Sequence, residues 1–259
     1  MSTPVVDRIA PRAIRPAAAR AARTVAAPAA AAAPRQRRKQ ARPQELLDAA
    51  LALFAEKGYA ATRTEEVAAR AGVSKGTLYL YYPSKEELFK AVVRQNLSAL
   101  IAEGAEFVGS YAGSTAELLQ VLLMTWWDRV GSTAAAGIHK IVFAEVRNFP
   151  ELAAFYEAEV LRPADRLFSA TLRRGVRRGE FRALPEHEVA HALMAPLIFM
   201  TLCQHSLGAC ALGPRALTPQ ALIRTHLDLV LNGLQRRDAP AAGDAPAAGD
   251  APAALKARS

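Results

Sequence analysis

An all-α fold of about nine helices follows from three features of the chain. Every periodic apolar pattern repeats at helical spacing. No stretch alternates every second residue with β-branched enrichment, and 259 residues at 51% hydrophobic can build one sizeable core with a smaller companion.

The elements follow in order. Leu47, Ala50, Leu51 and Phe54 fall at i, i+3, i+4 and i+7, one apolar stripe on a helix of about 15 residues that ends at Gly58. Pro43 is tolerated in its first turn. Thr64 is placed as the N-cap of a short helix running through Ala71, with Glu65 and Glu66 complementing its positive end, and Gly72 breaks it. Ser74 caps a second short helix from Lys75 to Tyr81; Pro83 and Ser84 stop that one and start a longer helix at Lys85. Longer helices are expected over 114–131, 134–148, 150–179 with a kink at Pro163, 185–207 with another near Pro196, and 218–236.

The chain thus divides into an arm over residues 1–40, a first domain over 41–88, a larger helical one over 89–236, and a tail over 237–259. The arm is Ala, Pro and Arg without apolar periodicity, and the tail repeats Asp-Ala-Pro-Ala-Ala-Gly from Asp238 and Asp244. Neither can bury enough surface to offset the entropy of ordering, so both are expected to be disordered. Arginines before an Ala run give the arm a passing likeness to a signal peptide. Pro28 and Pro34 interrupt it, and no Leu or Ile fills its centre.

Formal charge is +9, yet ten of the 33 basic residues and one of the 24 acids fall within residues 1–42, leaving 23 of each for the rest. A basic excess confined to an arm points to an anionic polymer or surface as partner. Two cysteines, Cys203 and Cys210, exclude a disulfide framework and suit a reducing, cytoplasmic setting. Both read as small buried apolar residues, with redox sensing as the alternative. No apolar run approaches the roughly 20 residues of a membrane-spanning helix.

Between Val67 and Tyr79 the sequence spells a short helix, a glycine turn and a second short helix. Ala68 is small enough for the crossing, Gly72 suits the turn, and Val73 and Leu78 point inward. The second helix then presents Lys75, Gly76, Thr77 and Tyr79 outward: a cation, a site of close backbone approach, a hydroxyl and a ring, all suited to a major groove. Taken singly these residues admit plainer roles, Tyr79 and Tyr81 as packing residues, Lys75 and Lys85 as solvated charges, Thr64 and Ser74 as caps. As a block they point to DNA.

The stretch from Leu46 to Leu88, with Phe54, Gly58, Thr64, Ala68, the run Gly72 to Tyr79 and Lys85-Glu86-Glu87-Leu88, resembles the DNA-binding domain of the tetracycline-repressor (TetR) family. The resemblance implies a three-helix reader followed by a larger helical domain that dimerises and binds a small molecule. It implies phosphate contacts for Thr64, Tyr81 and Lys85, and base or phosphate contacts for Ser74, Lys75, Gly76, Thr77 and Tyr79. Two departures stand out. Glu65 occupies a position where some relatives place a base-reading cation, and Tyr82 one where Phe is usual, so Tyr82 is assigned to the core with its hydroxyl in need of a partner. Arg35, Arg37, Arg38, Lys39 and Arg42 are expected to follow phosphates or enter the minor groove, the alternative being a solubilising arm.

The segment from Ile138 to Leu152 also resembles the C-terminal domain of a TetR subgroup. The expected pocket set is Met124, Trp127, Phe143, Arg147, Phe168, Met200 and Cys203, with Arg147 the candidate for an anionic or polar ligand group. His187-Glu188-Val189-Ala190-His191 spells the H-E-x-x-H pattern of zinc proteases. No glutamate follows it to supply a third ligand, and His205 lacks the extended-motif spacing, so neither metal nor cofactor is expected. The expectation is therefore a regulator, not an enzyme: a homodimer of helices 185–207 and 218–236 that binds a near-palindromic site on double-stranded DNA and answers to a small-molecule effector, with no membrane partner. An architectural DNA-binding protein without effector and a zinc hydrolase are the alternatives.

Overall fold

The computed structural model describes residues 34–145, 147–206 and 218–234. The arm through residue 33, Gly208, Cys210 and the repeats beyond residue 234 lie outside the described residues. Among the described residues the chain forms nine helices: α1 (Pro34–Ala61), α2 (Thr64–Arg70), α3 (Lys75–Tyr81), α4 (85–110), α5 (115–131), α6 (134–145), α7 (150–177), α8 (Glu186–Ser206) and α9 (Pro219–Leu234). Three of the long ones carry one widened turn of π-helix: Arg94–Ser98 within α4, Trp127–Gly131 closing α5, and Glu157–Leu161 within α7. No helix of the described residues is long and apolar enough to cross a membrane.

Caps fix most boundaries. Ser74 accepts from the Thr77 N–H at 3.1 Å and Ser84 from the Glu87 N–H at 3.0 Å, as the sequence predicts. Ser114 and Glu117 exchange side chain-to-backbone bonds at the start of α5, a capping box. Gly179, at φ +71°, closes α7 with Glu180 N–H donating to Gly175 C=O and Gly179 N–H to Val176 C=O, the Schellman arrangement.

Three boundaries differ from expectation. α1 begins at Pro34 instead of Pro43, because the intervening Arg, Gln, Lys and Ala are all strong helix formers and Pro34 can itself open a helix. Gly58 does end its regular part, with φ +81°. Thr64 is the first helical residue of α2 and Arg63 the cap: Arg63 is extended, and the Glu66 carboxylate reaches back to its N–H. At Pro163 there is no break. The π turn just ahead of it absorbs the missing N–H and the steric misfit of the ring.

Two apolar clusters hold the fold. The first joins α1 to α4 with α6 and α7, through Leu46, Phe54, Leu78, Phe89, Ile138 and Leu152, all 2% exposed or less. Within it Phe89 packs edge-on against Phe54 at 5.3 Å and against Tyr59 at 5.3 Å. The N-terminal reader therefore shares one core with part of the larger domain. The second cluster joins α5, α7, α8 and α9 through Leu119, Trp127, Phe168, Leu193 and Ile223.

Candidate nucleic-acid interface and cavity

Helices α2 and α3 cross at a tight turn. Gly72 sits at φ +66°, and the Val73 N–H donates to the Ala68 carbonyl at 2.9 Å. Nothing lies within 4 Å of a Cβ built on Gly72, so the positive φ, not crowding, is what requires glycine here. Leu78 is fully buried and Val73 packs beside it, which anchors α3 by one side only. Its other side carries Lys75, Gly76, Tyr79 and Tyr81, all exposed, with Thr77 partly so. Leu80, 84% exposed, belongs to the same surface and was missed by sequence reasoning. Its only signal is an aliphatic residue out of register with buried Leu78, and it suits apolar contact with a thymine methyl.

Side-chain bonds fix this surface. The Thr64 and Tyr79 hydroxyls are 3.0 Å apart, tying the start of α2 to the middle of α3. Ser74 and Thr77 hydroxyls are 2.9 Å apart. Tyr82 is half-buried, and its hydroxyl donates to the Pro43 carbonyl at 3.5 Å, the partner that a tyrosine in place of Phe needs. Lys75 pairs with Glu65 across the α2–α3 crossing and lies 5.8 Å from the Tyr79 ring centroid. The hydrogen bond from Lys75 holds the Glu65 carboxyl below the usual carboxylate range, and the same bond raises Lys75. A phosphate approaching Lys75 has to displace Glu65 and sits beside its charge. Glu65→Gln is therefore expected to tighten operator binding by roughly two- to fivefold and to steepen its salt dependence by about one phosphate contact, read by fluorescence anisotropy across a salt series. Weaker binding would show that Glu65 helps.

Lys85 also has partners within the fold. Its ammonium donates to the Tyr59 carbonyl at 2.9 Å and the Ala60 carbonyl at 3.2 Å and lies 4.6 Å over the Tyr59 ring, with burial pushing it down. It caps the end of α1, a structural role that the sequence reading did not assign to it.

Behind the reader, α4 to α8 enclose a cavity of about 160 Å³ with a largely apolar lining. Each π turn reaches its wall: Leu97 from the first, Val130 from the second, Val160 and Leu161 from the third. An inserted residue widens a helix and pushes side chains out of the regular pattern, so the wall is built where the helices are least regular. Its polar groups fall at two depths. His139 and Tyr156, 3% and 4% exposed, are bonded Nδ1 to hydroxyl, and burial raises the Tyr156 phenol. Asp165 and His191 line the cavity from more accessible positions.

Of the pocket set expected from sequence, only Phe168 lines this cavity. Trp127 and Met200 are buried in the second core instead, with Met124 packed against it. Phe143 is 60% exposed and Arg147 is exposed on the turn after α6, so neither faces the cavity; Cys203 is partly exposed at the end of α8. The tryptophan on the wall is Trp126, one residue from the one chosen and so about 100° round the helix. His139, set between the apolar Ile138 and Ile141 of α6 with Lys140 beside it, was the one legible sign of a buried polar site.

The H-E-x-x-H pattern also finds its place. The His187 ring Nδ1 lies 2.9 Å from an Asp165 carboxylate oxygen. No group of three His, Cys, Asp or Glu that could hold a metal ion occurs among the described residues.

Two family models match the chain: bacterial regulatory proteins of the tetR family over residues 46–92, and the tetracyclin repressor-like C-terminal domain over residues 111–209. The HTH-type transcriptional repressor KstR2 of Rhodococcus jostii (strain RHA1) is 29% identical over 198 residues, 76% of this chain and 92% of its own. The solved ketosteroid transcriptional regulator KstR2 of Mycobacterium tuberculosis is 27% identical with a TM-score of 0.55, covering 76% of this chain and 96% of that one. The transcriptional regulator FadR of Bacillus subtilis, solved in complex with stearoyl-CoA, shares the fold at 20% identity and a TM-score of 0.58, covering 73% and 98%. The matched segments coincide with the outward-facing α3 and with the helices that enclose the cavity, and such proteins regulate transcription without catalysing a reaction. The chain belongs to the tetR family of bacterial regulatory proteins.

Proposed function

We propose that this chain is a cytoplasmic homodimeric repressor that places two copies of α3 in successive major grooves of a near-palindromic operator and leaves it when a small apolar molecule fills the cavity. The observation that carries the reading is α3 itself, held to the core through Leu78 while Gly76, Thr77, Tyr79, Leu80 and Tyr81 stand out on its free side. A helix with no partner-building role beyond its own turn would not expose two tyrosines and a leucine together.

Helix α6 links the two sites. His139 on the cavity wall lies two residues from Gly137, where an added Cβ would meet Ala55 of α1 at 3.0 Å. At the far end of α6 the Ala60 N–H donates to the Glu145 carboxylate at 3.2 Å, and Phe149 packs edge-on against Tyr59 at 4.9 Å. A ligand that repositions His139 thereby moves the end of α1 on which the reader is seated. The response is set by the difference in ligand affinity between the DNA-fitting and non-fitting arrangements.

The last two helices supply the dimer face in this reading. Ala192, Ala195 and Phe199 form an exposed stripe on α8, and Leu229 is exposed on α9; Phe199 and Leu229 are 55% and 68% exposed. Four such helices pack as a bundle across a two-fold axis. The relatives' names, a ketosteroid regulator and a complex with stearoyl-CoA, support an effector with an apolar body.

Sites recovered by genomic footprinting and tested in gel shifts check the reading. The wild-type chain is expected to shift them as a dimer, and Thr77→Ala combined with Tyr79→Ala to lose the sequence-specific shift. Retained specificity in that double variant would remove α3 as the reader.

A further inference from the structure

The charge pattern of the cavity says which polar end its ligand carries. Resting on the reading of the cavity as the effector site, we infer that it takes an apolar molecule with a hydrogen-bond-donating head, an amine in its strongest form, received by the Asp165 carboxylate, and that it discriminates against carboxylate heads. Among the described residues Asp165 is the one acidic side chain on the cavity lining, and no Lys or Arg of the described residues lines it. Arg147, the cation that the sequence offered for an anionic group, is exposed on the turn after α6 and absent from the wall.

The carboxylate is held, sheltered and still able to accept. Its side chain is 22% exposed. His187 lies 2.9 and 3.1 Å from its two oxygens and the Ser169 hydroxyl donates to one of them at 3.3 Å, which fixes its orientation and leaves lone pairs for a ligand. Neighbouring charges on α7 are committed elsewhere: Arg162 to Glu157, Glu159 to Arg94, while Arg166 lines a separate groove on the α4 side. The rings of Trp126, Tyr156 and Phe168 on the wall add faces against which a cation is favoured. A carboxylate brought to the same place would meet a like charge.

Isothermal titration of the full-length dimer with dodecylamine and with dodecanoate, each below its critical micelle concentration, tests the assignment. The chains are matched, so the comparison isolates the head group. The protein's formal charge of +9 biases nonspecific association toward dodecanoate, opposite to the expected result. Dodecylamine is expected to bind at least about tenfold more tightly than dodecanoate. Asp165→Asn keeps the shape and is expected to shrink that preference below about threefold, while His187→Gln, which leaves the carboxylate, retains it. Operator binding and the melting temperature report that both variants are folded. Equal or tighter binding of dodecanoate, or an amine preference that survives Asp165→Asn, overturns the assignment. If neither probe binds a folded, operator-competent dimer, it is the reading of the cavity as the effector site that fails, and the assignment with it.

Discussion

Gly76→Ala is expected to separate folding from recognition. A Cβ built on Gly76 meets only the Ser74 hydroxyl, at 3.8 Å, an ordinary contact, and the residue is an exposed helical one without positive φ. Alanine is favoured over glycine in a helix by at most about 1 kcal/mol, and by less in the first turn where Gly76 stands, so the melting temperature should hold or rise slightly. On the DNA side the same methyl group stands where the backbone of α3 has to come close to the duplex, and operator affinity is expected to fall by roughly tenfold or more, about 1.4 kcal/mol. Paired thermal melts and anisotropy titrations read both effects. Full affinity in a stable Gly76→Ala protein would mean that α3 does not approach DNA along this edge, and the docking proposed above would have to be rotated.

Phe54→Ala should have the largest effect on stability. Phe54 has no exposed surface and packs against Phe89 and Tyr59 in the cluster that runs from α1 to α4 into α6 and α7. Truncating a buried Phe costs about 3–5 kcal/mol, a large share of the roughly 5–15 kcal/mol that holds a domain folded. Continuity of that cluster makes the effect global. The chain's two tryptophans, Trp126 and Trp127, lie in the larger helical part, and operator binding reports the reader. Tryptophan fluorescence and operator binding should be lost together, in one transition shifted to lower temperature. Separate transitions, with the tryptophans still native after DNA binding has gone, would show that the two halves fold independently despite the shared core.

How much of this was legible in the sequence depended on how local the signal was. The reader's helices could be placed because Ser74, Ser84 and Gly72 act on backbone groups within three or four residues of themselves. The start of α2 was misread by one residue for an equally local reason: Glu66 caps Arg63 from inside the helix and frees Thr64 to bond Tyr79, fifteen residues away. The direction of Lys85 was out of reach because its carbonyl partners lie at the end of α1, a tertiary matter. The cavity was hidden for the same reason on a larger scale. Five helices contribute its wall, and the pairing of Asp165 with His187 joins α7 to α8 across 22 residues of sequence, with no local signal at Asp165 to mark it. Aromatic bulk was a poor guide to the lining, since Trp127 and Met200 satisfy the second core while Phe143 faces solvent.

A π turn is an α-helix with one residue too many, and this wall contains three of them. Such a surplus need not stay in one place: passing it along by one position rotates the intervening side chains about the helix axis while most of the backbone bonding is kept. The three helices that carry Leu97, Val130 and Val160 thus resemble pages bound with slack at the spine. A binding chamber bounded this way is expected to adjust its girth in small angular steps, and so to admit ligands of differing bulk.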